Sequence, residues 1–138
     1  MRGASAVDDM LAGFADVPIQ VLVVWEPVLK TDVAAPLTGV LGLIGDRRVI
    51  QYWDPDLVVS TDIVRSANED PARYSLEEPL PPGFIAWDAI LVFGASARWD
   101  EDLPPPAHYD GPVAGAIDGV KRAIANEMQR ETVSPRGP

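Results

Sequence analysis

Each of the four tryptophans in this chain is followed directly by an acid: Trp25-Glu26, Trp53-Asp54, Trp87-Asp88 and Trp99-Asp100. An indole beside a carboxylate gives an aromatic face rimmed with negative charge. Such a face suits a cationic ligand or an arginine of a partner. Two of the acids stand out. Glu26 follows the strongest strand pattern at its C-terminal end, and ligands of open α/β sheets bind beside that end. Asp88 interrupts an apolar run, where a carboxylate must be paired, hydrogen-bonded or protonated. A structural role, accepting from loop amides, an indole or an arginine, is the favoured reading of Asp88; a site acid is the alternative. His108, the single histidine, sits in a Pro-rich loop and reads as exposed. A Ser-His-Asp arrangement would take Ser60, Ser66, Ser75 or Ser96 as nucleophile, but no Gly-x-Ser-x-Gly elbow surrounds any of them.

Other chemistries are excluded or unsupported. The chain has no cysteine, so it can do no thiol or disulfide chemistry of its own. Without thiolates and with one histidine, a metal would rest mainly on carboxylates. The run Asp100-Glu101-Asp102 lacks the spacing of a calcium loop. No glycine-rich phosphate cradle occurs, so no cofactor is expected. Of the 138 residues, 21 are Asp or Glu and 11 are Lys or Arg, a net charge of -10. No basic footprint for nucleic acid is present, and an anionic membrane surface is disfavoured. No apolar run approaches the ~20 residues that span a bilayer. Acids interrupt the N-terminal segment where a signal peptide needs an apolar core, so the expected location is cytoplasmic. Between Asp62 and Asp110, ten acids stand against three arginines. Solubility accounts for that bias; a docking face for a basic partner is the sharper alternative.

The elements that position these residues follow from periodicity. Residues 1–16 read as a short helix or arm anchored by Leu11 and Phe14. Val17 to Trp25 reads as a strand covered on both faces. A weak helix is expected over 37–45 and a strand over 48–53. Asp54 and Pro55 then read as N-cap and first turn of a helix running to about Ala67, with Leu57, Val58, Thr61 and Val64 as its apolar stripe. Proline density makes 68–83 a loop. Phe84 to Gly94 reads as the second strong strand, followed by an acidic loop over 95–111 and a short strand over 112–114. Ile117, Val120, Ile124 and Met128 give a final amphipathic helix. The domain boundaries expected are an arm over 1–16, one domain over 17–131 and a tail over 132–138.

That order resembles thioredoxin. Val21-Leu22-Val23-Val24-Trp25 looks like the strand that enters a thioredoxin active site, where Trp precedes Cys-x-x-Cys. Here Glu26-Pro27-Val28-Leu29 follows, with Glu26 and Leu29 in place of the two sulfurs. The chain is also similar to a group of bacterial thioredoxin-like proteins over roughly residues 17–128, through segments such as Tyr52-Trp53-Asp54, Ala86-Trp87-Asp88 and Ala97-Arg98-Trp99. The resemblance implies an α/β fold, a single thioredoxin-like domain whose mixed central sheet carries helices on both faces. It argues against the family's redox function, because the nucleophile there is a thiolate. It also implies a cis-proline before a late strand. Pro112 is the candidate, with an ordinary trans loop proline the favoured reading of it.

The function expected from all this is a non-redox, thioredoxin-like binding or accessory domain for a protein or peptide. Its candidate binding residues are Trp25, Glu26, Pro27, Trp53, Asp88, Trp99 and Pro112. The alternatives are a small enzyme using Glu26 and Asp88 as acid and base with His108 assisting, and a structural subunit.

Overall fold

A computed structural model describes residues 2–133. The chain is a mixed α/β protein in the order α1 (Arg2–Ala12), β1 (Val21–Trp25), α2 (Thr38–Leu41), β2 (Val49–Trp53), α3 (Val58–Glu69), a 3-10 turn (Pro71–Tyr74), β3 (Ile90–Val92), β4 (His108–Asp110) and α4 (Val113–Val133). The four strands form two separate pairs, where one mixed central sheet was expected. In the first, β1 and β2 run parallel with Val21 opposite Val49 and Trp25 opposite Trp53. In the second, β3 and β4 run antiparallel with Ile90 opposite Asp110 and Val92 opposite His108.

Two apolar clusters explain the arrangement. The first joins Val7, Met10 and Leu11 of α1 to Ala116, Val120 and Ile124 of α4, with Val21, Val49, Ile90 and Val92 packed against them. The second gathers Ile63 and Ala67 of α3 with Tyr74 and Leu103, against Leu91, Phe93 and Tyr109. Successive strand residues point to opposite faces, so β3 separates the clusters, Ile90 and Val92 toward one and Leu91 toward the other. The strand covered on both faces is therefore β3. For β1 that expectation fails: Val21 meets the core, while Leu22 on the other face is exposed. Tyr74 and Tyr109 meet edge to face at 5.2 Å, and the Tyr74 hydroxyl donates to Ser66 Oγ at 2.8 Å. Burial, then the neighbouring Tyr74 and Asp110, raises the Tyr109 hydroxyl above its ordinary pKa.

Several local expectations are corrected. The 84–94 strand shortens to Ile90–Val92, because Trp87 and Asp88 form a turn with Asp88 at φ 52°. Asp tolerates that left-handed conformation better than most residues. Residues 113–114 open α4, with Pro112 just before it, instead of forming a strand, and the strand lies earlier at 108–110. In α3 the buried stripe is Ser60, Ile63 and Ala67, a register that leaves Val58 exposed. In α4, Val120 and Ile124 are buried as expected, but Met128 is exposed. The Pro-rich loop holds one regular piece, the 3-10 turn, whose first turn Asp70 caps by accepting from Arg73 N–H.

The end of α1 is held by a residue far along the chain. The Arg48 guanidinium donates to the backbone carbonyls of Leu11, Phe14 and Val17, three oxygens at the helix end and its exit that each also accept one turn N–H. Asp46 orients it, accepting from Arg48 Nη2 at 2.6 Å and Nε at 2.9 Å. That hydrogen-bonded ion pair lowers the Asp46 carboxyl from 3.8 to about 2.

Candidate functional site

The C-terminal ends of β1 and β2 bring four of the Trp-acid residues together, Trp25 and Trp53 as register partners and Glu26 and Asp54 just beyond them. The Asp54 N–H donates to the Trp25 carbonyl at 2.9 Å, extending the ladder one step. The Trp25 indole N–H donates to Gln51 Oε1 at 2.9 Å, and Gln51 Nε2 donates to the Leu41 carbonyl at 2.9 Å. Both indoles are half-buried, as is Pro27.

Glu26 and Asp54 converge on the start of α3. Leu57 precedes that helix at φ 57° and offers no side-chain cap, so the orphan N–H groups of the first turn need acceptors from elsewhere. Asp54 Oδ2 accepts from Val59 N–H at 2.8 Å, and Glu26 Oε1 accepts from Ser60 N–H at 2.9 Å. Two carboxylates at a helix N-terminus also meet the positive end of its dipole. Asp54 thus serves α3 as expected, but from before Leu57, which is the residue at the N-cap position. Glu26 Oε2 further accepts from the Ser60 hydroxyl at 2.5 Å, and Ser60 Oγ in turn accepts from Ala86 N–H at 3.0 Å. The chain β1–Glu26–Ser60–Ala86 ties the parallel pair to α3 and to the loop before β3. Ser60 is 3% exposed, a satisfied core hydroxyl.

Asp88 sits at a second junction. It is exposed in its turn instead of lying inside a strand, and its Oδ1 accepts from Val113 N–H at 3.2 Å while its own carbonyl accepts from the same N–H at 3.0 Å. A Cβ on Gly3 would lie 3.2 Å from Asp88 Oδ1, so α1 packs closely here too. The carboxylate serves the α4 N-terminus, the structural role favoured for it. Pro112 stands beside it: the Gly111–Pro112 peptide is cis, contrary to the favoured trans reading, and it leads into α4 where a late strand was expected. Trp99 is 41% exposed in the loop between β3 and β4, and Trp87 is 63% exposed. In the acidic run, Asp102 pairs with Arg65 of α3 at 2.9 Å, and Arg65 also meets Asp62 and Glu69.

His108 is not in an exposed loop. It belongs to β4, half-buried, with its imidazole against α4 at Gly119, where a Cβ would come within 2.8 Å of Nε2. Glu26, Asp88 and His108 therefore have separate partners: Ser60, Val113 and the Gly119 stretch of α4. The sequence reading treated Ser60 only as a weak nucleophile candidate and missed its link to Glu26. The signal was a lone small polar residue in step with Ile63 and Ala67 on the buried stripe.

Comparisons with protein-family models, with curated proteins and with solved structures find no match to this chain.

Proposed function

We propose that the chain is a non-redox, thioredoxin-like binding module whose docking surface is the outer face of the β1–β2 pair. The observation that carries this reading is an uncovered apolar parallel ribbon. Leu22 is 58% exposed, Ile50 44% and Tyr52 51%. Leu22 is paired with Ile50, and Tyr52 with Val24, so these side chains share one face. Parallel strands are ordinarily covered on both faces, and a two-stranded sheet is marginal alone. The β1–β2 pair has one covered face and two open edges that offer unpaired N–H and C=O groups. The thioredoxin-like part of the proposal draws on the parallel β1–helix–β2 unit and on Trp25-Glu26-Pro27 at its mouth; the separation of the strands into two pairs weighs against it.

The occupant that fits is an extended or amphipathic segment of another protein, apolar where it touches Leu22, Ile50 and Tyr52 and basic in net charge. A chain of net charge -10 attracts such a partner and repels a second copy of itself. Glu26 and Asp54 contribute to the site by fixing the ends of the strands, since their carboxylates are committed to α3.

Site-specific photo-crosslinking tests the proposal. A photoreactive phenylalanine at position 52 is expected to trap one basic protein in the source cell, and the same probe at Glu101 is expected not to. Equal products from both positions, or a product without net positive charge, would remove the reading.

A further inference from the structure

Independently of the β1–β2 face, we propose that the cleft between β4 and α4 binds a small oxyanion, a phosphate or carboxylate group. The cleft measures about 250 Å³. One wall is a stripe of α4, in which Gly119, Arg122, Asn126, Glu127 and Arg130 recur at helical spacing, and His108 of β4 stands opposite. The guanidinium groups only donate, and the Asn126 amide and the imidazole can donate.

Glu127, the acid on that wall, is already engaged. Its Oε1 accepts from Arg130 Nη1 at 2.7 Å, which fixes the direction of the Arg130 fork and, among the described residues, leaves the rest of it unpaired. Among the described residues Arg122 takes part in no ion pair, although acids outnumber bases in the chain about two to one. Among the described residues Arg2, Arg47 and Arg98 are likewise outside these ion pairs, and of the four it is Arg122 that lines the cleft.

Two missing side chains shape the cleft. A Cβ at Gly119 would lie 2.8 Å from His108 Nε2, and a Cβ at Gly94 would lie 2.8 Å from Glu127 Oε2. Both polar residues are seated where any other residue type would intrude. At position 119 this means glycine inside a long helix, which is unfavourable by about 1 kcal/mol relative to alanine. His108 Nε2 is shielded there and has no hydrogen-bond partner; the Asp110 carboxylate, 3.8 Å away, is beyond hydrogen-bonding reach.

The experiment is an amide-resolved NMR titration of the full chain with sodium phosphate and, separately, sodium acetate, each against sodium chloride at matched ionic strength. The expected result is saturable shifts confined to 107–108 and 119–130, weakened at least fivefold by Arg122→Gln and in the same direction by Asn126→Ala. Both side chains are exposed, so the fold survives either change. Tighter binding of phosphate or of acetate identifies which oxyanion source the cleft prefers. Shifts that chloride reproduces, that spread over all exposed cations, or that persist in Arg122→Gln would overturn the proposal.

Discussion

Replacing Glu26 by alanine separates a carboxylate that holds the fold from one that holds a ligand. The side chain accepts from Ser60 N–H and from the Ser60 hydroxyl. Both donors lie on a residue that is 3% exposed, so water does not replace the lost acceptor. Hydrogen bonds to charged groups contribute about 1.5–3 kcal/mol each, and losing a helix cap alone costs about 1 kcal/mol. The two bonds share one carboxylate and one partner residue, so their losses overlap. The expected destabilisation for Glu26→Ala is about 3 kcal/mol. For Glu26→Gln, which keeps one acceptor oxygen and the shape, it is about 1 kcal/mol. For a chain of 138 residues the alanine change lowers Tm by about 10 °C, taking an unfolding entropy of about 2.1 cal/mol/K per residue. Urea unfolding with circular dichroism, backed by calorimetry, reads both. A loss below about 0.5 kcal/mol for Glu26→Ala would refute the structural role and return Glu26 to the candidates for direct ligand contact.

Gly119→Ala should lose about 1–2 kcal/mol of unfolding free energy despite alanine's better helix propensity, because the new methyl meets the imidazole; adding the change to His108→Ala should instead stabilise that variant. Asp46 titrates at about 2 when folded, against 3.8 ordinarily, so its ion pair supports the fold above pH 4 and that support is lost as pH falls through about 2. Carboxyl-resolved NMR should show that midpoint and its return toward 3.8 in Arg48→Met. Leu11→Ala should cost about 3 kcal/mol in chemical unfolding, because Leu11 is fully buried against α4.

The chain's α/β character was legible because the patterns behind it are local. Val21-Leu22-Val23-Val24-Trp25 is β-branched and short, and Val120 and Ile124 repeat at helical spacing; β1 and α4 follow. Which strand lies between two layers was not legible. Leu22 and Leu91 look alike in sequence, and only tertiary packing puts one in water and the other against Ile63 and Tyr74. Asp88 was misplaced because apolar flanks suggested a continuous strand, whereas its backbone takes a left-handed turn that serves the α4 N-terminus. The helical phase of α3 slipped by one position at Ser60, whose buried hydroxyl finds its acceptor in Glu26, 34 residues away. The cleft over α4 left a weaker trace. Its arginines and Asn126 recur at helical spacing, but the seat of His108 depends on a pairing of β4 with β3 that no local pattern encodes.

The most direct measurement joins stability and binding on the β1–β2 face. Leu22→Ser and Ile50→Ser are made together, and the double variant is compared with the unchanged protein by urea unfolding and by calorimetric titration of the purified crosslinked partner. Because both side chains are largely solvated, the account predicts a stability loss of no more than about 1 kcal/mol per site. It also predicts a Kd weakened at least about tenfold, equivalent to 1.4 kcal/mol. Unchanged affinity would contradict the docking surface, and a loss of several kcal/mol in folding would show that this face is already covered within the chain.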